Sequence, residues 1–330
     1  VVEDGYTTTG RWVRGGILAL GGFIALILLV VPARADAGYR YTLSNFSGPV
    51  PYTHPRLAAD RLHDELYVVF ANDIRVFSDT GMEIYRFGAD PALELATDLV
   101  VLENGDLMVL SRGRPGTPRD RETFLTRCDY RGGPIRTVDR SQWPSPYDRL
   151  PLDRVFLREG SLVLVGIDAM QIVEASPDGE FLGAWDLATR LGIAQEDLDS
   201  VRIGGIDVSA RGDLLVTAPV LFRAFVVPWS GEVRAFGRPG SAPGMFGSIS
   251  GIAGGDDGRL FVADKLRSVV MVFDSDFRFL EEFGYYGKRR GSLRGPGEIV
   301  LGNDDVLFVA QTAEQGVAVF DVGANGGASQ

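Results

Sequence analysis

The chain is poor in the residues on which most metal and redox chemistry depends. Cys128 is the only cysteine in 330 residues, which excludes an intrachain disulfide, a paired-cysteine zinc knuckle, a thiolate-held iron–sulfur cluster and a Cys-x-x-Cys-His haem attachment. His54 and His63 are the only histidines. A three-histidine metal site within one chain is therefore impossible, and a Ser-His-Asp arrangement would have to use one of these two, neither of which sits in a nucleophile motif. Positive charge is scarce as well: 33 Lys and Arg stand against 44 Asp and Glu, a formal net charge of −11. Acids and bases balance over residues 1–38, so the whole excess falls on residues 39–330. An acidic domain is a poor polyanion binder, and nucleic acid is not an expected partner.

Apolar residues make up 45% of the chain and charged ones 23%, too apolar for a disordered chain and enough for a sizeable core. Glycine (42) and proline (17) mark a turn-dense chain. That favours one large all-β domain over two smaller ones.

Residues 15–31 form the one long charge-free apolar run. It is at the short end for a membrane helix and long for a signal-peptide core. Arg11 and Arg14 precede it, and Ala33, Ala35 and Ala37 follow at signal-peptidase spacing, so the residues leave both readings open. The expectation carried forward is an uncleaved single-pass transmembrane anchor at 15–31. A short cytoplasmic N-terminus (1–14) and a linker (32–38) flank it. The positive-inside rule places the arginines in the cytoplasm and residues 39–330 across the inner membrane, in the periplasm of a bacterium. The linker reaches roughly 25 Å if extended, so the domain would stay close to the lipid surface.

A turn followed by a short apolar strand recurs six times, around Leu66, Leu107, Leu162, Leu214, Leu260 and Leu307. Repeats at this spacing signal propeller blades. Most are followed by a second Val-, Ile- and Phe-rich segment, then by a Gly- or Asp-bearing turn and a third segment; with the strand before each leucine, that makes four strands per repeat. The expected domain is a six-bladed β-propeller of four-stranded blades over 39–322. Its last repeat stops at Val322 without an outermost strand, while residues 39–46 are strand-like and unassigned. Pairing the two would close the ring and remove an exposed edge. Residues 323–330 read as a flexible tail.

The fifth repeat carries Phe236-Gly237, Gly240, Gly244-Met245-Phe246, Gly251-Ile252-Ala253, Gly258, Leu260-Phe261-Val262-Ala263-Asp264 and Val272-Phe273; the sixth echoes it in Phe283-Gly284, Gly287, Gly291, Pro296-Gly297 and Leu307-Phe308-Val309-Ala310. This pattern resembles the NHL-repeat family of six-bladed propellers. Arg267, Ser268 and Val269 stand where that family has Asn, His and Arg. The resemblance implies the fold; for function it spans lyases, lactonase-like enzymes, RNA binders and scaffolds. Lyase members use several histidines around the channel, which this chain lacks. Lactonase-like members use calcium on Asn, Asp and Glu oxygens, for which Asn104, Asp256, Asp257, Asn303, Asp304 and Asp305 are the candidates, although Asx residues beside tight turns ordinarily serve the turn. No catalytic, cofactor or metal residue is assigned. His54 and His63 read as surface or capping residues, Cys128 as a small apolar strand residue, and the Trp143–Tyr147 connector as filling between blades.

Two segments stand out against the acidic background: residues 112–121, an insertion in the second repeat with Arg112, Arg114, Arg119 and Arg121, and residues 285–294, with Tyr285, Tyr286, Lys288, Arg289, Arg290 and Arg294. Tyr and Arg are favoured in interface hot spots, and these ten residues are the candidate partner-binding site. The expectation is a non-catalytic, membrane-anchored periplasmic propeller that binds and positions other protein subunits. It would be an accessory or scaffolding subunit of a larger membrane complex, a respiratory or photosynthetic one being a host of this kind. Its contact with the bilayer would run through the N-terminal helix, with no cofactor. The alternative is a calcium-dependent lactonase-like hydrolase.

Overall fold

A computed structural model describes residues 37–45, 48–312 and 315–323. The anchor expected at 15–31 lies outside them, as does the tail beyond Gly323. Among the described residues no helix is long and apolar enough to cross a membrane.

Six four-stranded antiparallel sheets follow one another along the chain. Their inner strands are Arg56–Asp60, Leu95–Val101, Arg154–Arg158, Gly205–Val208, Ile249–Gly254 and Ile299–Leu301, each opening one blade of a six-bladed propeller. The repeat leucines lie in the second strands. These strands are apolar on both faces: Leu214–Ala218 and Leu260–Asp264 are buried throughout. A blade is sandwiched between two neighbours, so its middle strands carry continuous apolar runs, whereas outer strands such as Glu83–Phe87 and Pro134–Thr137 are largely exposed.

One apolar cluster fills each interblade space. Between the fifth and sixth blades it includes Phe261, Val270, Leu307 and Phe320, and between the sixth and first Leu57, Leu66, Phe77, Phe308 and Val319. Trp143 fills the space between the second and third blades, its indole N–H donating to the Gly179 carbonyl at 2.9 Å. Arginines strap successive blades: Arg127 and Arg136 reach Asp178, Arg158 reaches the Gly212 carbonyl, and Arg61 spans from the first blade to the Leu301 carbonyl and Asp256.

The ring closes through the strand Gly38–Thr42, which pairs antiparallel with Val317–Asp321 as the fourth strand of the last blade. This is the pairing expected from the sequence. Leu43 follows it into the core, fully buried, with its amide donating to the Val317 carbonyl at 2.8 Å. Features not read from the sequence are a small hairpin (Ser44–Asn45 with Gly48–Pro49) and a five-residue helix, Leu187–Leu191, whose N-terminus is capped by the Asp186 side chain.

Candidate functional site

In each blade the chain meanders outward from the axis. The link between second and third strands and the link to the next blade therefore share one end of the ring, the end where inner strands begin (the entry end). The first-to-second and third-to-fourth links share the other, the exit end.

On the axis, four blades contribute charge to one largely buried layer. Arg154, at the start of its strand, is 3% exposed. Its Nε donates to Asp98 Oδ2 at 2.9 Å, and its two terminal nitrogens donate to Glu298 at 2.6 and 3.3 Å. Arg56 donates to the same Glu298 at 3.0 Å, and the Val155 amide to Asp98 at 3.0 Å. Burial pushes the Asp98 carboxyl above its ordinary value even with Arg154 beside it. Burial also works against the Arg154 charge, but Asp98 and Glu298 outweigh it and hold the guanidinium more firmly protonated than usual. A fork shared by two carboxylates has the bidentate geometry in which Arg pairs best. The layer ties the second, third and sixth blades, with the first joined through Arg56.

Below this layer a cavity of about 440 Å³ opens toward the exit end. Asp207 lines it, and among the described residues Asp207 has no ion pair. Burial pushes its carboxyl up to about 7, although the Val208 amide and Arg154 pull the other way. The folded state therefore keeps a proton that the unfolded chain releases near its ordinary value of 3.8. Stability is unaffected below that value, falls between 3.8 and about 7, where the unfolded chain has released the proton that the folded state still holds, and levels off once both states are ionised. Asp207→Asn, which mimics the protonated form, is expected to stabilise the protein at pH 8 by on the order of 2 kcal/mol and to be neutral near pH 3.5. Urea midpoints at the two pH values measure this; no gain at pH 8 would mean that the carboxylate is well solvated.

Both basic segments lie at the entry end, well apart around the ring: residues 112–121 link the second and third strands of the second blade, and residues 285–294 join the fifth blade to the sixth, with Gly291 against Tyr39 of the closing outer strand. The first is a folded double turn, with Gly113 N donating to the Glu122 carbonyl and Asp120 N to the Thr117 carbonyl. Its arginines divide into two kinds. Arg114 and Arg119 face Glu94 at 3.6 and 3.8 Å, and Arg119 also stacks on Phe124. Arg112 and Arg121 are exposed and without an ion pair among the described residues. The second segment is anchored by fully buried Leu293. Arg294 is tied down by the Gln311 side chain and covers the Tyr286 ring, and Tyr285 donates to Glu282. Lys288, Arg289 and Arg290 form its exposed tip, again without an ion pair among the described residues.

The exit end is acidic: Asp64, Glu103, Glu159, Asp213, Asp256 and Asp304 are among its loop carboxylates. The Asx candidates for calcium lie here and serve turns and straps. Asp257 accepts from the Arg259 amide, Asn104 from the Asp106 amide, Asp305 from the Arg259 side chain, and Asn303 donates to Asp64. On the axis, Arg154 already sits between Asp98 and Glu298 and puts a positive charge where a divalent cation would need free oxygens. Among the described residues no group of three His, Cys, Asp or Glu side chains is placed to hold a metal ion. The donor set present does not fit calcium.

His63 is exposed and hydrogen-bonded to Asp60 at 2.6 Å, which raises its pKa. His54 neither caps nor lies on the surface: it is half-buried at the channel mouth, its Nδ1 without a hydrogen-bond partner, and burial together with Lys265 lowers its pKa. Cys128 is buried in its strand, its thiol pushed up to about 12 by burial, unreactive as a nucleophile.

No family model matches the chain, and no curated protein matches it. Solved structures do. Virginiamycin B lyase from Staphylococcus aureus superposes with a TM-score of 0.54 at 12% identity, over 87% of this chain and 99% of that one. A gluconolactonase from Xanthomonas campestris gives 0.55 at 15%, over 87% and 96%. A protein of unknown function from Bacteroides thetaiotaomicron gives 0.59 at 9%, over 86% and 76%. At these identities the likeness establishes the six-bladed propeller fold alone.

Sequence reading missed the axial layer. The signal was present: Arg56, Asp98, Arg154, Asp207 and Glu298 each place a charge shortly before a repeat leucine, at the inner edge of an otherwise apolar blade.

Proposed function

We propose that this protein is a non-catalytic propeller of the NHL-like kind that binds and positions a partner protein through its entry end. In this reading residues 15–31 anchor it in the inner membrane, the ring lies on the periplasmic side, and it serves as an accessory subunit of a larger membrane complex. The observation that carries the proposal is the pair of exposed basic tips, Arg112 with Arg121 and Lys288 to Arg290, both on the entry end of an otherwise acidic body. Cations so placed suit an acidic protein surface, adding docking rate and specificity while contributing little to folding. Asp98 and Glu298 support the same reading, since their acceptor capacity is engaged by Arg154 and Arg56.

The test is retention of co-purifying subunits in mild detergent. Replacing Arg289 and Arg290 by Ser, alone and together with Arg112 and Arg121, is expected to weaken retention, increasingly so as salt is raised. Folding stability should change by less than about 0.5 kcal/mol. Wild-type retention would remove these tips from the interface, and a large loss of stability would make them structural.

A further inference from the structure

The exit-end cavity holds a different chemistry from the entry end and is independent of the function proposed above. Half-buried Ala58, Val100, Phe156, Val208 and Val300 wall it. Its floor is the Arg154 layer, in which Asp98 and Glu298 already accept from guanidinium groups. Asp207, on the inner strand of the fourth blade, lines the cavity with no ion pair among the described residues, as does Glu103 at the mouth.

We propose that this cavity binds a small organic monocation, a primary alkylammonium whose charge seats on Asp207 and whose alkyl chain lies along the apolar walls. The volume, about 440 Å³, is that of a small-molecule pocket, and its lining mixes the apolar walls with charged side chains of both signs. Asp207 supplies the acceptor, and the ammonium supplies the counter-charge that Asp207 lacks. The charge pattern selects against the other ligand classes. An anion would meet the unpaired Asp207 carboxylate. A dication would be repelled by Arg154, which is fixed in the floor. At the mouth Glu103 and Glu159 stand beside Arg61, Arg158 and Arg211, so selection rests on Asp207 and not on the rim.

The test is calorimetric titration of the full chain, in mild detergent at pH 8, with n-butylammonium chloride, n-butanol and sodium butyrate. The expected result is saturable one-to-one binding of n-butylammonium, at least tenfold weaker in Asp207→Asn, with no saturable binding of the alcohol or the carboxylate. Equal affinity in Asp207→Asn, an equal response to n-butanol, or no saturable binding of n-butylammonium by the wild type would each overturn the proposal. The comparison of the three probes on the wild type decides the matter even if the variant folds poorly.

Discussion

Arg154→Met lowers the stability of the ring by about 3–5 kcal/mol, the range for removing one partner of a buried ion pair. The change preserves much of the side-chain volume but strands Asp98, 1% exposed, with only the Val155 amide as a remaining donor. Glu298 keeps Arg56 and so carries less of the loss. A stranded carboxylate escapes its desolvation cost by taking up a proton, and Asp98 already has a raised pKa with the arginine present. The deficit of the variant should therefore shrink as pH falls from 8 toward 5. Combining Arg154→Met with Asp98→Asn should recover part of the loss at pH 8, because the pair as a whole contributes far less than its broken halves cost. Urea midpoints across this pH range are the measurement. A loss under about 1 kcal/mol at pH 8, or one independent of pH, would mean that the axial layer is not what joins the blades across the channel.

Deleting residues 39–47 is expected to be at least as damaging. It removes the fourth strand of the last blade and leaves Val317–Asp321 as an unpaired edge, a template for association between chains. It also removes Leu43, wholly buried in the cluster between the sixth and first blades, and the Tyr39 ring that packs edge-on against Phe320. Truncating a buried leucine alone costs about 2–5 kcal/mol, and the deletion adds the lost ladder hydrogen bonds. The expected loss is therefore on the order of 5 kcal/mol or more, with concentration-dependent aggregation on heating. Leu43→Ala should show the packing part of this effect. Arg40→Ala should show almost none, since the Arg40–Asp321 pair is about one-third exposed on each side. An unchanged melting transition for the deletion would mean that the ring does not depend on this closure.

Much of the fold could be read locally. The leucine strands are apolar on both faces because each blade lies between two others, so their signal is strong and survives without any alternation. Blade two was harder, since the insertion at 112–121 separates its second strand from Thr123–Cys128, and the outer strand Pro134–Thr137 is too exposed to leave an apolar pattern. The basic segments were visible as composition. Their division was not: Arg114 and Arg119 look the same in sequence as Arg112 and Arg121, and only the fold brings Glu94 within reach of the first two.

What the sequence by itself determined is whatever depends on neighbours a few residues apart: the strands and their turns, the sixfold repeat, the missing outer strand at one end and the spare one at the other. The strand at Gly38–Thr42 could find its partner because a closed ring admits one solution for an unpaired edge. The tertiary structure alone decided which charges meet. Arg56 and Glu298 are 242 residues apart, and Arg154 and Glu298 are 144. Nothing in the local pattern selects one carboxylate over another at such distances, because an ion pair between blades depends on the radius of the ring and on which strands face the axis. The same closure turned scattered acids and bases into two ends of unlike charge, and left Asp207 on its inner strand without an ion pair among the described residues.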